Sequence, residues 1–160
     1  MPIALVPPAR AIFLTGFMGT GKTTTGQRLA DKLNVSFVDT DDLVQKNTGC
    51  TIKDIFKTDG EEAFRCLESQ ALQEAISMGP VVIGTGGGLM TCEENIHLMR
   101  QFGPIICLKA SPHVIHERTQ GRNERPLLNT ENPLGTIESL LQQRDVFYAQ
   151  ADYSVPTDSS

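Results

Sequence analysis

Short apolar runs alternate along this chain with longer segments in which apolar residues recur every three or four positions. The short runs are typical of buried strands, and the longer period is typical of amphipathic helices. Strands are predicted at residues 11–15, 36–38, 81–83, 105–108 and 153–155. Helices are predicted at residues 21–34, 51–56, 61–79, 112–118 and 136–149, with one more beginning near residue 91. This alternation indicates an α/β fold with a mostly parallel sheet.

Helix start signals support several of these assignments. Thr51 is expected to cap the short second helix, and Ser111 followed by Pro112 has the pattern of a cap with proline at the first helical position. Thr91, with Glu94 three residues later, predicts a capping box. These signals place helix beginnings at the chain positions where the apolar period starts.

One long segment, residues 120–135, is polar, lacks a hydrophobic period and contains two prolines. Loops of this length inside a compact domain are usually functional, and active-site lids are a common case. We therefore predict that residues 120–135 form a mobile lid.

Composition narrows the class of protein. A chain of 160 residues suits a single domain over residues 1–160, and its 39% apolar and 21% charged residues are typical of a globular protein. The net charge of −5 gives no reason to expect nucleic-acid or membrane binding, and no apolar run approaches the ~20 residues of a membrane span. Five of the eight arginines nevertheless fall between Arg100 and Arg144, which suggests that this half of the chain handles a small anion.

Cellular context follows from the cysteines and the N-terminus. Four cysteines are spread without a CxxC pair, so we expect reduced, mostly buried thiols. Residues 1–9 have no basic region of the kind that begins a signal peptide, so no cleaved leader is expected. We expect a monomer in the cytoplasm.

The strongest chemical signal is the run Gly-Phe-Met-Gly-Thr-Gly-Lys-Thr at residues 16–23, which matches GxxxxGK[ST] between a predicted strand and a predicted helix. Its glycines let backbone N–H groups turn inward around phosphate oxygens, Lys22 supplies a point charge, and Thr23 offers a hydroxyl to Mg²⁺. The nucleotide phosphates are expected to bind Gly19, Thr20, Gly21, Lys22, Thr23 and Thr24. The chain has neither DxxG after the second strand nor NKxD, so a phosphotransferase is favoured over a GTPase switch.

Two aspartates end the second predicted strand, at the edge where parallel sheets place their ligands. Alternation along an extended chain would point Asp39 and Asp41 in the same direction. One could then hold the water shell of Mg²⁺, while the other orients or deprotonates an acceptor hydroxyl. The alternative is that Asp41 or Asp42 only caps the following helix.

Glycines and arginines supply the remaining candidates. Gly86, Gly87 and Gly88 follow the third strand, where they either bring backbone N–H groups close to a ligand or form a simple turn. Arg125, in the predicted lid, is placed to reach phosphates on closure. For Arg65, Arg125 and Arg144 the alternative is an ordinary solvated arginine.

Taken together, these motifs resemble the shikimate kinase family over residues 11–157. The resemblance is carried by the phosphate loop, Asp39-Thr40-Asp41, the run from Ile55 through Gly60-Glu61 to Phe64-Arg65, Gly86-Gly87-Gly88, Arg125-Pro126-Leu127-Leu128, and Arg144 ahead of Tyr148. It implies a P-loop NTPase fold of three layers, α/β/α, around a central five-stranded parallel sheet. It also implies transfer of the ATP γ-phosphoryl group to the 3-hydroxyl of shikimate, with ATP as co-substrate and Mg²⁺ as cofactor.

The resemblance also implies residue roles. Asp41 would bind the acceptor hydroxyls and serve as base, and the backbone of Gly86, Gly87 and Gly88 would contact the ring. Arg65 and Arg144 would hold the shikimate carboxylate, which suits the planar fork of a guanidinium. Lys22 and Arg125 would stabilise the transferring phosphoryl group, and Thr23 and Asp39 would serve Mg²⁺. Arg118 matches a position near the adenine.

Two other functions stay open at this stage. A gluconate kinase of the same architecture also phosphorylates a hydroxylated carboxylate, although the aspartate pair and glycine triplet favour shikimate. A regulatory module that binds nucleotide without catalysis is the second alternative. Retention of Lys22, Thr23, Asp39, Asp41 and Arg125 argues against it.

Overall fold

A five-stranded, all-parallel sheet forms the centre of the molecule, as the sequence predicted. The computed structural model describes residues 10–86, 88–119 and 131–158. The strands are β1 Ala11–Thr15, β2 Ser36–Asp39, β3 Val81–Gly84, β4 Ile105–Lys109 and β5 Tyr153–Pro156, in the order β2-β3-β1-β4-β5. Because β1 has β3 on one side and β4 on the other, its carboxyl end lies at the switch point where such sheets bind ligands.

Helices connect the strands. They are α1 Lys22–Leu33, α2 Thr40–Thr48, α3 Ile52–Thr58, α4 Gly60–Ser77, α5 Glu93–Arg100, α6 Pro112–Thr119 and α7 Pro133–Tyr148, with a 3₁₀ turn at Leu89–Thr91. Among the described residues no helix is long and apolar enough to cross a membrane.

The two faces of the sheet are covered separately, which gives three layers. Phe13 and Leu14 are neighbours in β1 and both are buried, but they belong to different apolar clusters because successive strand residues face opposite ways. Leu14 packs with Ala30 of α1, whereas Phe13 shares a larger cluster with Leu72 of α4 and Ile137 of α7. Helix α1 therefore covers one face and the later helices cover the other.

Two predicted helix beginnings are wrong. Helix α5 follows Cys92 without a side-chain cap, because Thr91 lies in the 3₁₀ turn, where its hydroxyl donates to the Gly88 carbonyl oxygen at 2.6 Å. Helix α7 begins at Pro133, capped by Asn132, whose Oδ1 accepts from the Gly135 N–H group. Residues 133–135 are thus helical rather than part of a loop. Residues 120–130 of the predicted lid, with Arg125, lie outside the described residues.

The cysteines also differ from expectation. All four are free thiols, but Cys50, Cys66 and Cys92 are exposed, and of the four only Cys107 is buried. The prediction of mostly buried thiols is wrong because Cys50 follows the end of α2, Cys66 lies on the solvent face of α4 and Cys92 precedes α5. Burial in β4 raises the pKa of the Cys107 thiol.

Candidate active site

The loop between β1 and α1 is shaped by glycines with positive φ. Gly16 has φ 136°, and a Cβ there would lie 2.3 Å from the Leu108 carbonyl oxygen, so no other residue fits this turn. Gly21 caps α1 with φ 95° and provides no side-chain hydrogen bond. The first-turn N–H groups of α1 are therefore presented as a ready anion site.

The Lys22 side chain is hydrogen-bonded to the backbone of this loop. Its Nζ donates to the carbonyl oxygens of Gly16 at 2.8 Å and Phe17 at 3.2 Å, while the hydroxyl of Thr20 donates to the same Phe17 oxygen at 2.7 Å. Thr23 and Thr24 are exposed in the first turn of α1, open to a bound ligand. The predicted phosphate-binding residues of the loop thus lie together around one concave backbone.

Asp39 has a local structural role that the sequence did not predict. Its Oδ1 caps α2 by accepting from the N–H groups of Asp41 at 2.8 Å and Asp42 at 3.2 Å. The strand ends at Asp39, and Asp41 lies in the first turn of α2, so strand alternation does not orient the two carboxylates together. The alternative in which Asp41 or Asp42 is the cap is also wrong.

Two carboxyl groups converge on Gly86. A Cβ on this glycine would lie 2.0 Å from Glu68 Oε2 and 2.7 Å from Asp41 Oδ1. The two carboxyl groups therefore occupy the space that a side chain at position 86 would fill. The Gly86 N–H group donates to the hydroxyl of Thr40 at 3.0 Å. That N–H group is consequently not offered to a ligand, contrary to the sequence-based expectation, because Thr40 ties the glycine turn to α2.

Glu68 is a buried carboxylate of this site that the sequence reasoning missed. It is 1% exposed, its Oε1 accepts from Arg65 Nη1 at 2.9 Å, and its Oε2 lies next to Asp41 at Gly86. Burial raises the pKa of Glu68, and the nearby charges of Arg65 and Arg144, with a hydrogen bond to Asp41, oppose that rise. The helical spacing could have predicted its burial, because Glu68 lies four residues from both Phe64 and Leu72 on the apolar face of α4.

Arg65 is held in place rather than solvated. Its guanidinium lies between Glu68 and Glu61, with Nη2 3.2 Å from Glu61 Oε1. A Cβ on Gly88 would lie 2.5 Å from the guanidinium carbon. In this structure Gly86 and Gly88 therefore make room for the protein's own charged side chains, whereas Gly87 lies outside the described residues.

Arg144 completes the charged group from α7. It is only 7% exposed, lies over the Phe17 ring with Cζ 5.4 Å from the centroid, and its Nη1 has no acceptor among the described residues. Burial raises the pKa of Tyr148 to about 12, against the opposing charge and hydrogen bond of Arg144. A buried guanidinium with a spare N–H group beside the phosphate loop suits an anionic ligand.

Arg118 lies in α6 and contacts both the phosphate loop and Thr157, which follows β5. Its Nη1 donates to the Gly19 carbonyl oxygen at 3.0 Å and to the Thr157 hydroxyl at 3.2 Å, and its Nη2 donates to the Thr157 carbonyl oxygen. Its guanidinium therefore contacts the loop directly.

The residues predicted for Mg²⁺ fit an ion that is bound partly by phosphate and water. Within residues 10–86, 88–119 and 131–158, no group of three His, Cys, Asp or Glu side chains could hold a metal. Mg²⁺ usually keeps several waters and takes only one or two protein oxygens beside the phosphates. The Thr23 hydroxyl and the Asp39 Oδ2 atom, which the α2 cap does not use, are two protein oxygens that could serve as such Mg²⁺ ligands.

A phosphate-binding loop beside a pocket with a carboxylate pair and two arginines defines a kinase for a small anionic acceptor. The family model described as shikimate kinase matches residues 18–160, and the chain belongs to this family. It is 46% identical to the shikimate kinase of Caldanaerobacter subterraneus subsp. tengcongensis over 90% of this chain and 84% of that one. It is 42% identical to the Thermus thermophilus enzyme over 94% and 83% of the two chains.

Solved structures agree with this assignment. Shikimate kinase from Acinetobacter baumannii in complex with shikimate is similar with a TM-score of 0.92 at 36% identity, covering 99% of this chain and 89% of that one. The enzyme from Bacteroides thetaiotaomicron gives a TM-score of 0.86 at 37% identity over 93% and 87%. This chain is therefore an ATP-dependent kinase of the shikimate kinase family, and the regulatory-module and gluconate kinase alternatives are set aside.

Proposed function

We propose that this chain transfers the γ-phosphoryl group of ATP to the 3-hydroxyl of shikimate, giving shikimate 3-phosphate and ADP. The observation that carries the proposal is the convergence of Asp41, Glu68 and Arg65 around Gly86 and Gly88. A hydroxylated carboxylate offers both groups that such a pocket would recognise, hydroxyls for Asp41 and a carboxylate for the arginines.

At the acceptor side, Arg65 and Arg144 bind the shikimate carboxylate. Glu68 orients the Arg65 guanidinium by accepting a hydrogen bond from Nη1. The Nη1 group of Arg144 donates its hydrogen bond to the shikimate carboxylate. Asp41 accepts the proton of the 3-hydroxyl while that oxygen forms its bond to the γ-phosphorus and the bond to ADP breaks. Asp41 is therefore the proposed base.

At the phosphate side, Gly19, Thr20, Gly21, Lys22, Thr23 and Thr24 bind the nucleotide phosphates. Lys22 exchanges its loop carbonyl partners for phosphate oxygens and stabilises their developing charge. Thr23 and Asp39 would hold Mg²⁺, whose charge would offset the negative charge of the phosphates. Arg125 supplies a further cation for the transferring group, and Arg118 lies next to the adenine. From the resemblance to the shikimate kinase family, the Gly87 backbone is proposed to contact the shikimate ring.

The experiment is an ADP-release assay with shikimate, with gluconate and with no acceptor, each with Mg²⁺ and with excess chelator. ADP should form quickly only with shikimate and Mg²⁺, and ³¹P spectroscopy should identify a 3-phosphate ester. Equal rates with and without shikimate would contradict the proposal. We also propose a cytoplasmic monomer, which light scattering and fractionation of the native cells test.

A further inference from the structure

The hydroxyl of Thr157, at the end of β5, lies against the phosphate loop although 137 residues separate it from Thr20. Among the described residues, its Oγ1 atom contacts the Thr20 carbonyl oxygen at 2.7 Å, the Lys109 carbonyl oxygen at 3.1 Å and Arg118 Nη1 at 3.2 Å. Thr157 is 6% exposed and Thr20 is 1% exposed, so water does not compete for these bonds.

A hydroxyl has one proton to donate, and the distances indicate its direction. The Lys109 carbonyl oxygen already accepts from the Thr157 N–H group at 2.7 Å, whereas the Thr20 oxygen is nearer to the hydroxyl. Arg118 can only donate. The Thr157 hydroxyl therefore accepts from Arg118 and donates to the carbonyl oxygen of Thr20.

This bond fixes a peptide plane in the phosphate loop. In a trans peptide the carbonyl oxygen and the next N–H group point in opposite directions. With the Thr20 oxygen held toward β5, the Gly21 N–H group must face away from β5. Gly21 has a positive φ and no Cβ, so its own conformation does little to restrict a flip of this peptide. Arg118 holds the preceding carbonyl oxygen, that of Gly19, in the same way.

We propose that Thr157 is a positioning residue for nucleotide phosphate: its hydroxyl, supported by Arg118, holds the Thr20–Gly21 peptide with the Gly21 N–H group directed at the phosphate. The inference rests on the proposed binding of phosphate in this loop. It also gives Arg118 a task that does not involve the base of the nucleotide.

Thr157→Val removes the hydroxyl and keeps the side-chain shape. Inorganic pyrophosphate and ADP serve as probes by calorimetry, since pyrophosphate has no adenine. We expect the Kd of both to rise by the same factor, about three- to tenfold, which is what one neutral hydrogen bond contributes. The KM for ATP should rise likewise while the KM for shikimate stays unchanged. Thr157→Ser should restore wild-type values, and Thr48→Val, which removes a hydroxyl bonded within α2, should change nothing.

A second readout is the Gly21 amide resonance. Pyrophosphate should shift it strongly downfield in the wild type and in Thr157→Ser, and less in Thr157→Val. Should Thr157→Val fold poorly, Arg118→Met is expected to weaken pyrophosphate binding in the same direction, by release of the Gly19 carbonyl oxygen. Weaker ADP binding with unchanged pyrophosphate binding would overturn the inference and assign these residues to the adenine. Failure of the wild type to bind pyrophosphate would instead overturn the proposed phosphate site, and the inference with it.

Discussion

The two halves of the active site are built in different ways. The phosphate half is one loop, residues 16–23, whose shape depends on glycines with positive φ and whose proposed ligand contacts are mainly backbone N–H groups. The acceptor half is assembled from side chains of α2, α4 and α7, and Asp41 and Arg144 are more than 100 residues apart. A contiguous backbone site can be found from spacing alone, whereas a site of scattered side chains exists only once the helices have packed.

The halves also differ in how their charges are satisfied. Lys22 bonds to two carbonyl oxygens of its own loop, so the phosphate half is hydrogen-bonded without ligand. Glu68 and Arg144 are almost fully buried; Glu68 is bonded to Arg65, whereas Arg144 Nη1 has no acceptor among the described residues. Substitutions in the acceptor half should therefore alter shikimate binding or turnover, and those in the phosphate half should alter nucleotide chemistry.

The largest effect is expected from Asp41→Asn. Loss of the carboxylate removes the base, so kcat should fall by about 10²–10⁴-fold while ADP affinity stays within a few-fold of wild type. Asp42→Asn is the matched control, because this neighbour on α2 is exposed. A collapse of ADP binding in Asp41→Asn would place Asp41 in the metal site and erase the division between the halves.

Lys22→Ala should come next, with kcat lower by about 10²–10³-fold, the usual cost of removing one donor to developing charge. The fold should survive, as circular dichroism would show, because the side chain contributes hydrogen bonds to its own loop rather than core packing. Lys32→Ala, an exposed lysine later in α1, is the control. Near wild-type turnover in Lys22→Ala would remove Lys22 from the mechanism.

A smaller effect is expected from Glu68→Ala, which leaves Arg65 without its buried partner. The KM for shikimate should rise about tenfold, consistent with a loss of roughly 1–3 kcal/mol in positioning, and the KM for ATP should not change. Glu61→Ala removes the other, more exposed partner of Arg65 and should cost less than about 1 kcal/mol. If the two variants raised the KM for shikimate equally, the Glu68–Arg65 pair would contribute no more than the exposed Glu61–Arg65 pair.

The smallest expected effect is on stability as a function of pH. Because burial raises the pKa of Glu68 above its ordinary value of 4.5, the folded state binds this proton more tightly than the unfolded state. The free energy of unfolding of the wild type, relative to Glu68→Gln, should therefore fall as pH rises from about 4.5 through the raised pKa. Urea unfolding of both proteins at several pH values measures this, and a difference independent of pH would contradict it.

The limits of sequence reasoning follow the same division. The strands, most of the helices and the phosphate loop were predictable because each depends on neighbouring residues, but α2 was not predicted. The role of Asp39 as cap was not predictable, because it depends on where β2 ends, and strand alternation was extended to Asp41, two residues past the end of the strand. Glu68 was missed because a glutamate on an apolar helix face gives no sign of its partner until Arg65 and Gly86 are placed beside it.

The buried guanidinium of Arg144 bears on how this scaffold responds to selection. A buried N–H group without an acceptor costs roughly 1–3 kcal/mol of folding free energy. Arg144 Nη1 has no acceptor within the described part of the chain, and a methionine at this position would avoid that cost. A library screened only for heat resistance should therefore enrich variants that have lost Arg144, and these would be stable proteins without a working acceptor pocket. Directed evolution of this fold toward higher melting temperature has to select for turnover in the same round, because at this position the two properties oppose each other.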